Sequence, residues 1–426
     1  MGILDNIQAN VLKPHDRNCC LFLFFIWDEK VSEKKHYKAW VKAAGSFVTS
    51  HQQQLADTLA YKLRGQQSAV INFGLTYQAF ELMGSELATT FQQEKEFVDT
   101  VDGSSFYQPS YPENKEGEYT VFHPGIHHAA LYIAHDDEQL LYQKQNEILA
   151  KLSELKLLVR VKPFWVKQKR KPAEKGKKGR AAGPLGFEDD ISTVSQEEEI
   201  LEHAFGFKKN NPENKRYLGT FMMVQKILLN QAAFDKHAAA LAETFNTKTP
   251  DPVSIELAKA YMIGRFRNGT PLVCSNEASA KIRDEENSFD YQNDKAGLRC
   301  PFHAHIRSAN PRKDGKSVPI VRRSIVFDEI RAEKKEEAML FISFQSSAKE
   351  NLRPIYQRML SVTEDGHPDA LFYPHKEGQR PWLYHPVYGL ETAERIAYKR
   401  PAGDITTIGS GALYFCPSKA YLDNPE

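Results

Sequence analysis

The sequence predicts an α+β fold in two domains, with helices packed on antiparallel sheets. Its 426 residues exceed what one compact core usually supports, so we expect two domains of about 200 residues each. β-rich apolar segments alternate with segments of helical periodicity, which favours helices on one face of an antiparallel sheet. Hydrophobic residues make up 41% of the chain and charged residues 26%, as in an ordinary globular protein.

In the N-terminal half, the first strand is the most distinct element. The segment Cys19–Trp27, CCLFLFFIW, is apolar throughout, yet far shorter than the roughly twenty residues that span a bilayer. We therefore expect it to be a buried central strand. Further predicted elements are strands at His128–Ala134 and Lys156–Val166, and helices at Lys35–Ser50, Tyr77–Phe97 and Asp137–Glu154.

The C-terminal half repeats this rhythm, although we find no repeat at the level of residues. Its predicted elements are strands at Tyr217–Leu229, Ser324–Phe327, Met339–Phe344 and Ala412–Cys416, and helices at Gln231–Phe245 and Lys349–Leu360. Between the halves, eight of the fourteen residues of Lys167–Arg180 are Lys or Arg. This basic segment predicts an exposed, mobile connection between domains 1–180 and 181–426, with docking of an anion as the alternative.

Charge and cysteine content indicate which binding partners and which cellular compartment to expect. The formal net charge of +1 does not favour nucleic acid or a membrane as partner. Five cysteines without a CxxC pair favour a reducing compartment. Residues 1–15 lack the basic start and apolar run of a secretory signal, so a cytoplasmic protein is expected. The sequence does not determine the oligomeric state, and a homo-oligomer is one of the alternatives.

Three clusters of residues could carry chemistry. Pro184–Ser192, PLGFEDDIS, holds three consecutive acids, which suits proton transfer, with a plain acidic turn as the alternative. Gly297–Arg312 holds His303 and His305, and imidazole is a common ligand of haem iron. Ile320–Phe327, IVRRSIVF, begins an apolar strand with two arginines, which are costly to bury without an anion and otherwise mark a strand end at the surface.

Taken together, these clusters resemble the motifs of the dye-decolorizing peroxidase family. That family has a GxxDG motif, a segment like AHIR…NPR and a downstream Arg–x–x–Ile strand. The chain has GFEDD, AHIRSANPR and RRSI at the corresponding places, at 186–190, 304–312 and 322–325. Weaker matches follow in the order of the family and cover nearly the whole chain: Ile7–Leu12, Gly219–Ile227, Gly264–Leu272, Phe289–Asp294 and Met339–Gln345.

The resemblance implies two ferredoxin-like domains with haem b in the C-terminal half. It assigns the iron ligand to His305, the acid–base carboxylate to Asp189 in the loop 184–192, and the distal arginine to Arg322, with Arg323 as an open alternative. It also implies that Met339 and Phe341 line the distal pocket. From their residue type, Arg307 and Arg312 could pair with haem propionates.

Two residues depart from the motifs of the family. Asp190 replaces the closing glycine of GxxDG, so the turn loses its most permissive residue. His303 stands where the family usually has a small residue, often glycine. Both changes lie beside residues to which the resemblance assigns a role, so they bear on the rate and the pH dependence of catalysis.

The function implied is a peroxidase that reduces hydrogen peroxide and oxidises dyes, phenols or other organic electron donors, best at acidic pH. Trp382, in the polar setting GQRPWLYH, is the candidate surface relay for electrons. The alternative is a haem-binding or haem-processing protein without peroxidase activity on the same scaffold. A third interpretation omits haem: the acids and histidines would bind a divalent metal ion.

Overall fold

The structure is a computed structural model that describes residues 2–30, 33–65, 67–99, 127–173, 178–188, 197–206, 218–248, 253–278, 289–312, 319–331, 334–360, 367–375, 378–385 and 388–426. The strands are β1 Cys19–Trp27, β2 Val70–Leu75, β3 Ala129–His135, β4 Val159–Lys167, β5 Gly219–Leu229, β6 Val321–Arg322, β7 Ile325–Arg331, β8 Lys334–Gln345, β9 Trp382–Tyr384, β10 Ile396–Tyr398 and β11 Thr406–Pro417.

The α-helices of the described part are α1 Ile3–Asn6, α2 Lys34–Gly45, α3 His51–Arg64, α4 Tyr77–Met83, α5 Leu87–Phe91, α6 Lys95–Val98, α7 Glu138–Ser153, α8 Glu197–Phe205, α9 Gln231–Asn246, α10 Ile255–Ile263, α11 His305–Ala309, α12 Arg353–Leu360 and α13 Lys419–Asp423. A π-helical turn, Ala348–Leu352, precedes α12. None of the helices in these ranges is long and apolar enough to cross a membrane.

Within the described ranges, nine strands form one antiparallel sheet in the order β4-β1-β3-β2-β11-β5-β8-β6, with β7 also paired to β8. We number the four strands of each half in chain order. The halves β4-β1-β3-β2 and β11-β5-β8-β6 then both have the spatial order 4-1-3-2, which is that of the ferredoxin-like fold. The predicted α+β fold of two ferredoxin-like units is confirmed. The boundary at residue 180 stays a prediction.

Both faces of the sheet are buried, so the expectation of helices on one face only is wrong. Alternate residues of β1 enter two separate cores: Leu21 and Leu23 enter one, and Phe22 and Phe24 enter the other. A strand that is apolar on both faces needs cover on both. Most helices cover the first core, and α8 with the N-terminal segment covers the second.

Several elements differ from the predictions. The apolar stretch at Tyr77–Phe97 is three short helices, because α4 ends at Gly84, whose φ of 62° is left-handed. Helices α3 and α10 and strand β2 were not predicted. By contrast, β1 has the predicted bounds, and β3, β5, α7 and α9 differ from theirs by no more than two residues.

The basic segment Lys167–Arg180, predicted to be an exposed connection, forms ordered contacts in its described part, where every residue is exposed or half-buried. Backbone bonds from Lys171 N to Arg180 O, 2.9 Å, and from Ala182 N to Lys169 O, 2.8 Å, fold it into a hairpin. Its cations bind carboxylates of other elements: Lys169 binds Glu337, Arg170 binds Asp16 at 2.7 Å, Lys171 binds Glu188 at 2.7 Å and Lys178 binds Asp136 at 2.8 Å. Residues 174–177 lie outside the described part.

The two ferredoxin-like units meet edge to edge where β2 and β11 pair through Leu75 and Phe415. The buried side chain of Gln8 joins both strands beside this pair. Its Nε2 donates to Phe73 O, 2.9 Å, and to Pro417 O, 2.8 Å, and its Oε1 accepts from Phe73 N, 2.8 Å. Gln8 thus connects the two halves of the sheet.

Replacing Gln8 with Ala should destabilise the protein, because buried backbone groups of both halves would lose their partners. We expect the free energy of unfolding to fall by about 2–4 kcal/mol. Urea unfolding followed by circular dichroism measures this change. Gln139→Ala, at an exposed position of α7, is the matched control. Equal unfolding midpoints for the two variants would contradict the assignment of Gln8.

Candidate active site

His305 is the first residue of α11, and its ring is oriented by a buried carboxylate. His305 Nδ1 lies 3.0 Å from Asp369 Oδ2. Because a carboxylate only accepts, Nδ1 carries the proton, and the lone pair of the neutral ring is on Nε2. The side chain of His305 is 25% exposed and that of Asp369 is fully buried. Among the described residues, none makes a hydrogen bond to Nε2. Imidazoles that bind a metal ion through one ring nitrogen are commonly oriented in this way by a carboxylate on the other.

The carboxylate of Asp369 is itself fixed by the turn that carries it. Its Oδ1 accepts hydrogen bonds from Leu371 N and Phe372 N, both 2.9 Å. The other oxygen is thereby left for His305. The ring of Phe372 lies 5.0 Å from the imidazole of His305, between ring centroids. The turn therefore fixes the position of the carboxylate that binds His305 Nδ1.

His303 points away from this carboxylate into an aromatic cluster. Its ring stacks on Trp382, with centroids 4.7 Å apart, and lies 5.0 Å from the ring of Tyr384. Burial lowers the pKa of His303 to about 4, so its ring is neutral at neutral pH. The two histidines separate because His303 precedes the helix and His305 begins it.

Trp382 is not a surface residue, so the prediction of a surface relay at this position is wrong. Its side chain is 5% exposed, between the ring of His303 and the guanidinium of Arg400, whose Cζ lies 5.2 Å from the indole centroid. The physical reason is the alternation of β9, which turns Trp382 and Tyr384 inward and leaves Leu383 47% exposed. The polar neighbours in the sequence did not reveal this alternation.

The side chain of Arg307 binds the loop that precedes His303 and His305 in the chain. Its Nη1 donates to Asp294 Oδ2, 2.8 Å, and to Cys300 O, 2.6 Å, while its Nη2 donates to Asp294 O, 2.6 Å. The guanidinium lies between the rings of Tyr291 and Phe302, 4.4 Å from each centroid. These bonds fix Arg307 in the loop, and its pairing with a propionate stays a prediction from the sequence.

Arg312 lies in a second cationic group. Its guanidinium Cζ is 3.9 Å from the ring centroid of Phe289, and that of Arg265 is 5.3 Å from the same ring. Burial, and next the charge of Arg312, lower the pKa of Arg265 to about 10, and burial lowers that of Arg312. Arg265 is buried and Arg312 half-buried, and their Nη1 atoms donate to Gly269 O, 2.8 Å, and to Phe289 O, 3.2 Å. Arg265 was not singled out from the sequence.

The strands of the C-terminal unit bring Met339, Phe341 and Arg322 to one face of the sheet. Met339 and Phe341 alternate along β8 and both pack against the core that contains α10. Arg322 pairs in register with Ser343, the next residue on that face. Arg323 lies on the opposite side, where it donates to Asn10 O, 2.8 Å, and to Val11 O, 2.7 Å.

Asp189 and Asp190 lie outside the described residues, but the segment that leads to them is anchored. Leu185 has a left-handed φ of 55°, and its N–H donates to Glu337 Oε1 on β8, 3.0 Å. Gly186 follows with a φ of 80°, where a Cβ would lie 2.7 Å from Arg267 Nη1. Glu188, the last described residue, donates its N–H to Arg267 O, 2.8 Å. The chain is therefore fixed up to the position before Asp189.

The structure thus places Met339, Phe341 and Arg322 on one face of the sheet and adds Asp369 as the partner of His305. No pattern in the sequence points to Asp369, which is 64 positions from His305. The divalent-metal interpretation finds no support among the described residues, where no group of three or more His, Cys, Asp or Glu side chains could hold a metal ion.

Sequence comparisons relate the chain to dye-decolorizing peroxidases. A family model, Dyp-type peroxidase, C-terminal, matches residues 182–377. The multifunctional dye peroxidase DyP2 of Amycolatopsis sp. is 28% identical over 236 residues, which cover 50% of this chain and 50% of the relative. A dye-decolorizing peroxidase of Exidia glandulosa is 23% identical over 47% of this chain and 44% of its own length. The chain thus matches about half the length of these curated relatives.

Solved structures share the fold over nearly the whole chain. The DyP-type peroxidase of Anabaena sp. superposes with a TM-score of 0.74 at 20% identity, covering 99% of this chain and 94% of that one. A dye-decolorizing peroxidase in complex with 2,6-dimethoxyphenol gives a TM-score of 0.72 at 18% identity, covering 100% and 99%. At these identities the likeness shows the fold.

Replacing Arg307 with Met should destabilise the protein, because the carboxylate of Asp294, 1% exposed, would lose its cation. Removing one partner of a buried ion pair costs about 3–5 kcal/mol in the free energy of unfolding. Chemical denaturation of the haem-free protein measures the change. Arg299→Met, at an exposed arginine of the same loop, should unfold like the wild type. Wild-type stability of Arg307→Met would refute the assignment of Arg307 to the loop.

Proposed function

We propose that the chain is a haem-dependent peroxidase of the DyP-type family, because the model of that family's C-terminal domain matches residues 182–377 and a solved DyP-type peroxidase shares its fold. It would reduce hydrogen peroxide and oxidise an organic electron donor. The observation that carries the proposal is the pair His305–Asp369, in which a partly exposed imidazole has its tautomer fixed by a buried carboxylate. The family is one of haem enzymes, and we propose haem b as the form bound here.

The residues present fit this cofactor. His305 Nε2 would bind the iron, because the buried Asp369 holds the proton on Nδ1 and strengthens the ligand. Arg312, with Arg265 beside it, would face the propionates, since two neighbouring cations suit carboxylates. Met339 and Phe341 would line the distal side with apolar groups. Bound haem would supply the iron that takes up the peroxide and accepts two oxidising equivalents from it.

On the distal side, Asp189 and Arg322 would handle the proton and the charge of the peroxide. Asp189 would take a proton from one oxygen and return it to the other, which leaves as water. Arg322 would stabilise the negative charge that develops on the leaving oxygen. The register of β6 supports Arg322, because Arg322 shares a face with Met339 and Phe341, whereas Arg323 is bonded to the N-terminal segment.

The electron donor is proposed to be a phenol or a dye. Support comes from the related fold that was solved with 2,6-dimethoxyphenol and from the dye peroxidases among the relatives. Trp382 is buried, so we do not propose that a donor transfers its electron directly to that indole at the surface. The cytoplasmic location stays a prediction from the sequence.

Peroxide reactivity tests the distal assignments. Stopped-flow absorbance of the haem-loaded protein mixed with hydrogen peroxide should show a fast spectral change. Asp189→Asn should slow it by about 10²- to 10⁴-fold, because proton transfer is lost. Arg322→Leu should slow it by about 10²- to 10³-fold, because charge stabilisation is lost.

Arg323→Leu is the matched control for Arg322→Leu and should react with peroxide at the wild-type rate. A slow Arg323→Leu beside a fast Arg322→Leu would reverse the assignment of the distal arginine. A haem-loaded wild type that peroxide merely bleaches would overturn the peroxidase and support the haem-binding alternative.

Peroxidase turnover should be fastest at acidic pH. An unperturbed aspartic acid has a pKa of about 3.9 and a histidine of about 6.5, so a proton shuttle built on Asp189 exchanges its proton well below neutral pH. Steady-state kcat/KM for hydrogen peroxide, measured as a function of pH for the wild type and for Asp189→Asn, tests this expectation. A maximum near neutral pH that is insensitive to Asp189→Asn would contradict the role of the carboxylate.

A further inference from the structure

We propose that His303 is a positioning residue for the candidate iron ligand: its side chain fixes the turn that carries Asp369, and through it the orientation of His305. The link to iron rests on the proposed function. The contacts of His303 with the turn around Asp369, called the clamp below, are made by the polypeptide alone. They can therefore be tested with or without haem.

His303 contacts the turn on both sides of Asp369. Its Nδ1 lies 3.0 Å from the carbonyl oxygen of Pro368, so Nδ1 carries the proton and donates it. Its backbone oxygen accepts from Ala370 N, 2.8 Å. These two bonds hold the residues directly before and after Asp369. A displacement of the Asp369 backbone, and with it the carboxylate, would therefore break one of them.

The remainder of the turn is held by residues from other elements. Thr406 Oγ1 donates to Leu371 O, 2.8 Å, and Arg400 Nη1 donates to Tyr373 O. These contacts fix the carbonyl groups after Asp369, whereas His303 fixes the one before it. The contact of His303 with Pro368 therefore completes the support of the carboxylate from both directions.

Aromatic packing fixes the rotation of the His303 ring. Its plane is within 7° of that of Trp382, and the ring of His367 meets it edge-on at 5.1 Å between centroids. Rotation about the bond from Cβ to the ring would break the stacking on Trp382. The ring is thus held in the orientation that points Nδ1 at Pro368 O.

The side-chain part of this clamp is available to few residue types. Any residue at position 303 could accept the bond from Ala370 N through its backbone. Only a side chain with a donor near the Nδ1 position, such as His or Asn, could bind Pro368 O. A small residue could not, so His303 gives this chain a contact that the family motif does not supply.

The consequence for a bound iron follows from the hydrogen bond to His305. A carboxylate held in place makes a shorter and stronger bond to Nδ1–H, which makes the imidazole a stronger electron donor. A stronger donor stabilises ferric over ferrous iron. Loosening the turn should therefore raise the reduction potential of the bound haem.

The test compares His303→Phe, which keeps an aromatic ring but has no donor, with His303→Asn, whose amide can donate from near the Nδ1 position. The first readout is hydrogen exchange of the amides of Leu371 and Phe372 in the haem-free protein, since both bind Asp369 Oδ1. We expect exchange about tenfold faster in the Phe variant, as for the loss of one hydrogen bond, and close to the wild-type rate in the Asn variant.

The second readout is the ferric–ferrous midpoint potential of the haem-loaded protein. It should rise in His303→Phe, by about 59 mV if the relative stabilisation of ferric iron falls tenfold, and less in His303→Asn. His135→Phe, at a buried histidine of β3 that contacts backbone oxygens, controls for general loosening and should change neither readout.

Wild-type exchange and potential in a folded His303→Phe would overturn the clamp and leave the peroxidase untouched. If the Phe variant fails to fold, His303→Gln replaces it, because the longer side chain carries its amide away from Pro368 O; equal exchange in the Gln and Asn variants would then overturn the clamp. A wild type that binds no haem would remove the proposed function, while the exchange result would still decide the clamp.

Discussion

The hydrogen bond between His305 Nδ1 and Asp369, 3.0 Å long, is the contact on which the candidate site depends. A fully buried carboxylate is costly unless its oxygens are bonded, and Asp369 meets this requirement with two backbone N–H groups and one imidazole. The same bonds fix the tautomer of the ring and leave Nε2 as the available ligand atom. The loops around Asp294 and Asp369 thus have one role in common, which is to hold α11 and its first residue in place.

The sheet of the C-terminal unit places the proposed distal residues on one face. Strand β8 alternates, so Met339 and Phe341 share a face, and β6 adds Arg322 to that face by pairing with Ser343. The segment before Asp189 is tied to the start of β8 through Glu337. In the proposed site, these strands and the loop entry would form the distal side, and α11 with its carboxylate would form the side that binds the iron.

What the sequence could predict depended on local signals. Strand β1 was predicted to the residue, because a nine-residue apolar run bounded by polar residues allows few other structures. The motifs also assign roles to His305 and Arg322, and these roles are part of the proposed function. Asp369 could not be predicted, because its partner is 64 positions away and only the folded chain brings them together. Trp382 was misjudged because its burial depends on a three-residue strand, and the bond from Arg307 to Asp294 could not be predicted because only the folded loop brings the two together.

A crystal structure of the haem-loaded protein would test the central claim most directly. We predict that it shows the iron bound to His305 Nε2, with Asp369 still on Nδ1 and with Arg322 and Asp189 on the opposite face of the porphyrin. Iron bound to another side chain, or a porphyrin that has Arg322 on the same side as His305, would contradict the account.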